Sequence, residues 1–261
     1  MLKSITLLPE RITNPTAYPF SVPAISTFRR LDITSRVLCF AGENGTGKST
    51  LLEAIAAHIG FGREGGNRDM RFETSESVAA TEPLIRALRL GFDKRTGEGF
   101  FFRAESLFSV ATQIDEWDSD SSFGGKIRDS YGGVSLHDHS HGETFFTVLD
   151  HKFRRSGLFL LNEPEAALSP QRQLAFLVLI HATLRDYKDA QFIISTHSPL
   201  LLGYPGAQIV SFDGGRLQPI DYDRTYPYLI IRRFLTDRTQ MLEDLFRNPE
   251  ADPDDQSTLF D

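Results

Sequence analysis

One short stretch of the sequence has the residue types and spacing of a phosphate-binding loop. Residues 42–49 follow the pattern Gly-x-x-x-x-Gly-Lys-Ser, between an apolar run and a helical pattern of leucine and alanine. Glycines let the backbone curl so that successive N–H groups point at phosphate oxygens, and the helix N-terminus adds partial positive charge. We therefore predict that Lys48 reaches the β- and γ-phosphates of a nucleotide and that the Ser49 hydroxyl ligates Mg²⁺.

A second group of polar residues follows runs that are typical of buried strands. Residues 157–161 are apolar without alternation, as in a central parallel strand, and Asn162 and Glu163 come directly after them. His197 follows a similar run at residues 191–196. Because ligands of parallel sheets bind at the carboxyl ends of the strands, we expect these three side chains to face the nucleotide.

Three histidines alternate with other residues in the segment 137–141, which also holds Asp138. Alternate residues of a loop can converge on a metal, but the rest of the chain offers no matching ligand set. Ser140 and Glu143 have the spacing of a capping box, which instead predicts a helix N-terminus presented by a glycine-bearing loop.

Two other segments leave a binding role and a structural role open. Tyr18 or Phe20 could stack on an adenine base, or could pack on the core as turn aromatics do. The arginines of residues 60–72 could touch phosphate or a partner, or could belong to a solvated surface loop.

Composition places the chain among ordinary soluble proteins. It has 261 residues and a net charge of −7, which argues against a broadly basic surface for nucleic acid, although a local basic stripe is compatible with an acidic total. Cys39 is the only cysteine, so we expect a buried, inert thiol, no intrachain disulfide and a reducing cytoplasm. No segment has the length of a membrane helix, so we predict no direct membrane insertion.

In this order, the motifs resemble those of an ABC-type ATPase, specifically the stand-alone bacterial group related to the heads of chromosome-maintenance and DNA-repair ATPases. The similarity covers roughly residues 2–246. Residues 42–50 resemble Walker A, 140–143 a reduced signature loop, 158–163 Walker B, 166–169 the D-loop, and His197 the switch histidine.

This resemblance implies an α/β fold: a P-loop NTPase of ABC type with a mostly parallel central sheet flanked by helices, an antiparallel β part and a small helical subdomain. We expect one ATPase domain over residues 1–247, with the helical subdomain within about 75–150. Residues 248–261 are acidic and poor in apolar residues, which predicts a disordered tail.

The resemblance also implies ATP and Mg²⁺ as cofactors. It assigns Lys48, Glu163 and His197 to catalysis, with Glu163 orienting the attacking water and His197 sensing the γ-phosphate. Mg²⁺ would be held by Ser49, Asn162 and Glu105, the last as a substitute in the Q-loop. The predicted nucleotide contacts are Tyr18, Gly42, Glu43, Asn44, Gly45, Thr46, Gly47, Lys48, Ser49, Thr50, Ser140 and Gly142.

In the family, two heads pack head to tail, so that each signature loop completes the other protomer's site. We therefore expect an ATP-dependent homodimer in which Ser140 and Gly142 contact the γ-phosphate held by Lys48 of the other protomer. Such a dimer would act as a nucleotide-driven switch for an unidentified protein partner. A transporter subunit, a DNA clamp and a small-molecule kinase are less consistent with the motifs.

Asn162 departs from the aspartate that ABC ATPases carry at this position. An amide accepts hydrogen bonds but brings no charge, so we predict weaker Mg²⁺ binding and slow hydrolysis. A non-hydrolysing ATP-sensing scaffold is the alternative.

Overall fold

A computed structural model of the protein describes residues 1–62, 75–94, 98–103, 149–150 and 152–247. Several predicted features lie outside the described residues: Glu105, the histidine-rich loop with Ser140 and Gly142, most of the predicted helical subdomain, and the acidic tail.

Nine strands and seven α-helices are described here. The strands are β1 Leu2–Leu7, β2 Arg30–Asp32, β3 Val37–Ala41, β4 Leu88–Phe92, β5 Gly99–Arg103, β6 Leu158–Asn162, β7 Gln191–Ser195, β8 Gln208–Ser211 and β9 Gln218–Pro219. The α-helices are α1 Pro23–Thr27, α2 Lys48–Ile59, α3 Ser75–Ala87, α4 Pro170–Asp186, α5 Pro199–Leu202, α6 Tyr226–Thr236 and α7 Arg238–Arg247.

The central sheet has six strands in the order β5-β6-β7-β3-β8-β9. The first five strands are parallel, and β9 pairs antiparallel with β8 as a hairpin. A smaller antiparallel sheet has the order β2-β1-β4. The predicted α/β fold with a mostly parallel sheet and a separate antiparallel part is confirmed.

Two hydrophobic clusters cover the two faces of the central sheet. Alternate residues of β3 point to opposite clusters: Leu38 and Phe40 join the cluster that includes α1, α2 and β1, whereas Cys39 joins the one that includes α4 and α5. Strands buried on both faces have no solvent-facing positions, which explains why the middle residues of these strands are apolar without alternation. The five residues of β3, of β6 and of β7 are all buried.

Helix α4 begins where the sequence predicts. The Ser169 hydroxyl accepts a hydrogen bond from the Arg172 N–H at 3.4 Å, and Pro170 occupies the first turn, where it needs no N–H partner. Helix α4 packs against the sheet through Phe176 and Ile180, which are fully buried. The cap therefore sets the residue at which this helix begins.

Among the described helices, none combines the length and the apolar composition that crossing a membrane would require.

Candidate nucleotide site

The loop between β3 and α2 has the backbone that a phosphate cradle needs. Gly42 and Gly47 have φ angles of 140° and 99°, in the region that side chains disfavour. A Cβ on Gly47 would approach Val22 and Ile25 to 3.0 and 3.1 Å, and one on Gly42 would lie 2.9 Å from an Asp213 oxygen. Glycine is therefore required at both positions by conformation and by space.

Lys48 lies at the start of α2 with its ammonium group turned back into this loop. Its Nζ donates to the Glu43 carbonyl oxygen at 2.7 Å, and the Thr46 hydroxyl donates to the same oxygen at 2.8 Å. The side chain is 3% exposed. Burial lowers the Lys48 pKa, and nearby carboxylates, with Glu163 the strongest, oppose this shift. A buried cation in a glycine loop is suited to bind phosphate.

Asp213 anchors the other side of the loop. Its Oδ1 accepts the Glu43 N–H at 2.9 Å, and its Oδ2 accepts the Ser211 hydroxyl at 2.9 Å. Since Ser211 ends β8, which pairs with β3, Asp213 ties the first turn of the loop to the neighbouring strand.

Two buried polar groups lie unpartnered at the ends of the next strands. Asn162 ends β6 and pairs in register with Ser195, the last residue of β7. Neither Asn162 Oδ1 nor Ser195 Oγ has a hydrogen-bond partner among the described residues, although both atoms are buried. Since buried polar atoms are almost always satisfied, this pair of oxygens indicates a site that a ligand completes.

Glu163 and His197 face each other beyond these strand ends. Glu163 has a φ of 49°, the only positive value among the described non-glycine residues, and this conformation turns its side chain out of the strand direction. Its Oε1 lies 3.7 Å from His197 Nε2, which has no hydrogen-bond partner within the described ranges. Both side chains are about one-third exposed, at 35% and 30%.

Of the two aromatic candidates for adenine stacking, only Tyr18 has an accessible ring. Tyr18 is 48% exposed, and its hydroxyl is 2.9 Å from the Thr50 hydroxyl on α2. Phe20 is 3% exposed and belongs to the hydrophobic core. The core role that the sequence left open therefore applies to Phe20.

The structure brings most of the predicted residues to one edge of the sheet. Residues 42–50 form the loop and first helical turn after β3, Asn162 and Glu163 follow β6, and His197 follows β7. Arg103 ends β5, where the Q-loop was predicted, and its Nη1 is 3.2 Å from Glu53 Oε1 on α2.

Sequence reasoning missed Asp213, Ser195 and Glu165 as residues of this site. Asp213 follows β8 at the same sheet edge as Glu163, so the strand-end rule that found Glu163 would have found it. The Asp-Gly-Gly sequence that begins at Asp213 is equally typical of a hairpin turn, which hides this role. Ser195 and Glu165 carried no signal, because their role depends on which neighbours the fold supplies.

The site fits a nucleotide with Mg²⁺. Oxygen ligands suit this hard cation, and Ser49 and Asn162 would hold it. When bound, Mg²⁺ neutralises charge on the β- and γ-phosphate oxygens. The glycine loop and Lys48 would bind the phosphates themselves.

Comparisons with known proteins give one match to a family profile. The family profile described as "AAA domain, putative AbiEii toxin, Type IV TA system" matches residues 94–203, less than half of the chain. No protein of curated function matches.

Three solved structures are similar at low identity. The SMC head domain from Thermotoga maritima is 18% identical with a TM-score of 0.44, over 84% of this chain and 99% of that one. An SMC head bound to the C-winged helix domain of ScpA is 12% identical with a TM-score of 0.45, over 84% and 97%. The structure described as "An inward-facing conformation of a putative metal-chelate type ABC transporter" is 13% identical with a TM-score of 0.45, over 88% of each chain.

The phosphate loop follows β3, and a carboxylate and a histidine follow two neighbouring strands. The chain therefore has a mostly parallel α/β fold with a phosphate loop, and its residues 94–203 are similar to the AAA-domain family profile.

Proposed function

We propose that the protein binds ATP with Mg²⁺ and hydrolyses it slowly at composite sites of a head-to-tail homodimer in the cytoplasm. The observation that carries this proposal is the 3.7 Å approach of Glu163 to His197 beside Lys48. A carboxylate and an imidazole at this spacing can flank one water molecule and one phosphate oxygen. The dimer would act as a nucleotide-driven switch for a protein partner.

Each side chain has a separate role in this proposal. Lys48 and the loop N–H groups bind the β- and γ-phosphates, and Tyr18 stacks on the adenine. Glu163 accepts a proton from the attacking water as it orients that water toward the γ-phosphorus. His197 donates from its imidazole to a γ-phosphate oxygen and loses this contact when phosphate departs. Ser140 and Gly142 of the second protomer complete the same phosphate site.

Glu163→Gln tests the assignment of the base. Gln keeps the size of the side chain but cannot accept a proton, so we expect phosphate release to fall by at least about 100-fold. ATP binding should persist, and light scattering with Mg-ATP should then show a dimer. Lys48→Ala is the matched control, because it should lose both nucleotide binding and dimerisation. A Glu163→Gln protein that remains a monomer at saturating Mg-ATP would contradict the composite site.

A non-hydrolysing ATP-sensing scaffold is the second candidate, and Asn162 is the observation that favours it. The Asn162 side chain brings no negative charge to the metal, which disfavours hydrolysis. In a scaffold, ATP binding alone would then change the conformation of the protein. Parent protein that binds a fluorescent ATP analogue and dimerises but releases no phosphate would support the scaffold.

A further inference from the structure

Glu165 is a partly exposed acidic residue with a buried carboxyl oxygen, Oε2, and the proposed mechanism gives it no role. It lies in the short 3-10 turn Pro164–Ala167, directly after Glu163. Its Oε1 accepts the backbone N–H of His197 at 2.6 Å, across 32 positions of the chain. The bond therefore joins the segment of the proposed base to the segment of the proposed phosphate sensor.

The neighbouring backbone bonds show what Glu165 adds. Glu163 N donates to the Ser195 carbonyl at 2.9 Å, and Thr196 N donates to the Phe40 carbonyl at 3.1 Å. These two bonds continue the sheet beyond its last strand residues. The His197 N–H is the next donor along the chain, and a side-chain carboxylate receives it in place of a backbone carbonyl.

The bond is short for an N–H donor and an oxygen acceptor, at 2.6 Å. Burial raises the pKa of the Glu165 carboxyl, and the His197 N–H bond acts in the opposite direction because it favours the carboxylate. A hydrogen bond to a buried carboxylate is shorter and stronger than a neutral one. The carboxylate therefore restrains the backbone of His197 while leaving the imidazole to face Glu163.

Ser198, which follows His197, is held by hydrogen bonds that do not involve Glu165. Ser198 Oγ donates to Gln173 Oε1 at 2.5 Å and also caps α5 by accepting the N–H groups of Leu200 and Leu201. Gln173 in turn donates to the Leu168 carbonyl at 3.0 Å. Ser198 thus stays anchored when the Glu165 bond is removed, so a change at Glu165 acts locally on His197.

We propose that Glu165 is a positioning residue, which fixes the His197 backbone so that the imidazole is directed at the γ-phosphate. The proposal rests on the ATPase function proposed above. It requires a hydrogen-bond acceptor at position 165, and it gives Glu165 no contact with the nucleotide. Glu165→Gln should therefore keep the function, whereas Glu165→Ala should lose it.

Hydrogen exchange and kinetics together test the role. For Glu165→Ala we expect the His197 amide to exchange at least about tenfold faster, and kcat to fall about 10- to 100-fold with KM for ATP within about twofold. For Glu165→Gln we expect parental exchange and a kcat within about threefold of the parent. Glu165→Met keeps the volume without the acceptor and replaces the alanine variant if that variant is unfolded.

Three results separate the possible failures. Parental exchange at His197 in the alanine or methionine variant would overturn the positioning role. Glu165→Gln as inactive as Glu163→Gln would also overturn it, since the carboxylate charge itself would then be needed. A parent protein that hydrolyses no ATP refutes the proposed function instead, and the exchange measurement still decides whether Glu165 holds His197.

Discussion

At the scale of single residues, Asn162 is the position where the proposed metal site has an uncharged side chain. Its Oδ1 is buried without a partner within the described ranges and lies beside Ser195 on the next strand. An amide oxygen can face Mg²⁺ or its waters but supplies no charge. In the proposed site, Asn162 would therefore offer Mg²⁺ a neutral oxygen in place of a charged one.

Asn162→Asp should strengthen the site. The added charge should lower the Mg²⁺ concentration needed for tight binding of a fluorescent ATP analogue and raise turnover about tenfold, or roughly 1.4 kcal/mol in the barrier. Binding of the ATP analogue and the turnover rate are each measured as a function of Mg²⁺ concentration. Asn162→Ser is the uncharged control. Turnover and Mg²⁺ dependence equal to those of the parent would refute the weak-metal explanation.

The buried side chain of Lys152 predicts how the free energy of unfolding changes with pH. The side chain is 3% exposed, and burial lowers its pKa from 10.5 to about 8. Between these values the unfolded chain binds more protons, so stability rises with pH in this window. Below pH 8 the buried ammonium charge costs stability, of the order of 3 kcal/mol.

Lys152→Met removes the titrating group and keeps much of the volume. We expect the variant to be more stable than the parent at pH 7, by urea unfolding, and we expect this advantage to shrink as pH rises toward 10. The nearby exposed residue Arg154 supplies a control. The free energy of unfolding of Arg154→Met should differ from that of the parent by the same amount at every pH between 7 and 10. An advantage of Lys152→Met that does not change between pH 7 and 10 would contradict the lowered pKa.

Individual side chains were predictable where one rule governs them. Lys48 and Ser49 follow from a spacing pattern, and Glu163 and His197 follow from their place after buried strands. Glu165 was not predictable, because its role is a bond to a backbone N–H 32 positions away, and that proximity exists only in the folded chain.

At the scale of elements, β3 connects both faces of the molecule. It pairs with β7 on one side and β8 on the other, and its side chains enter both hydrophobic clusters. Cys39 lies at its centre, fully buried, and burial raises the pKa of its thiol to about 12. The thiol can therefore react only when this strand leaves the sheet.

Labelling of Cys39 by a disulfide reagent should report global unfolding. At pH 8 we expect no reaction in the native protein beyond the rate of unfolding, and immediate reaction in concentrated urea. The comparison is between the labelling rate and the unfolding rate from tryptophan or circular dichroism signals. Rapid labelling of the native protein would show that β3 opens without global unfolding.

The apolar strands were predicted from sequence more completely than the segments around them. Runs such as residues 191–195 are buried on both faces, so their composition alone reveals them. Helix α1 could not be predicted, because it lies in a proline-rich segment that favours a connection. Pro23 nevertheless occupies its first turn without breaking it. The pairing of β1 with β4 was also beyond prediction, since it joins segments about 80 residues apart.

At the scale of the whole molecule, the proposed dimer predicts complementation between two inactive proteins. Lys48→Ala should disable the loop of its own protomer, and Ser140→Arg should disable the site of the opposite protomer. In a mixed dimer both defects fall in one site and the other site is intact. An equal mixture should therefore recover part of the parental ATPase rate, because each mixed dimer has one of its two sites intact.

The control is each variant assayed alone, where no activity should appear. A mixture as inactive as its components would show that the signature residues act within their own protomer. Activity in Ser140→Arg alone would remove those residues from the site.

The pairing of β3 has a consequence for synthesis on the ribosome. The strand emerges early, but its partners β7 and β8 end at Ser195 and Ser211, and Asp213 contacts the loop across 170 positions. Contacts this distant in sequence form slowly and late. The phosphate loop therefore stays without its sheet until most of the chain has been translated. A nascent chain that stops before β8 should leave the apolar strand exposed, which makes it a substrate for chaperones.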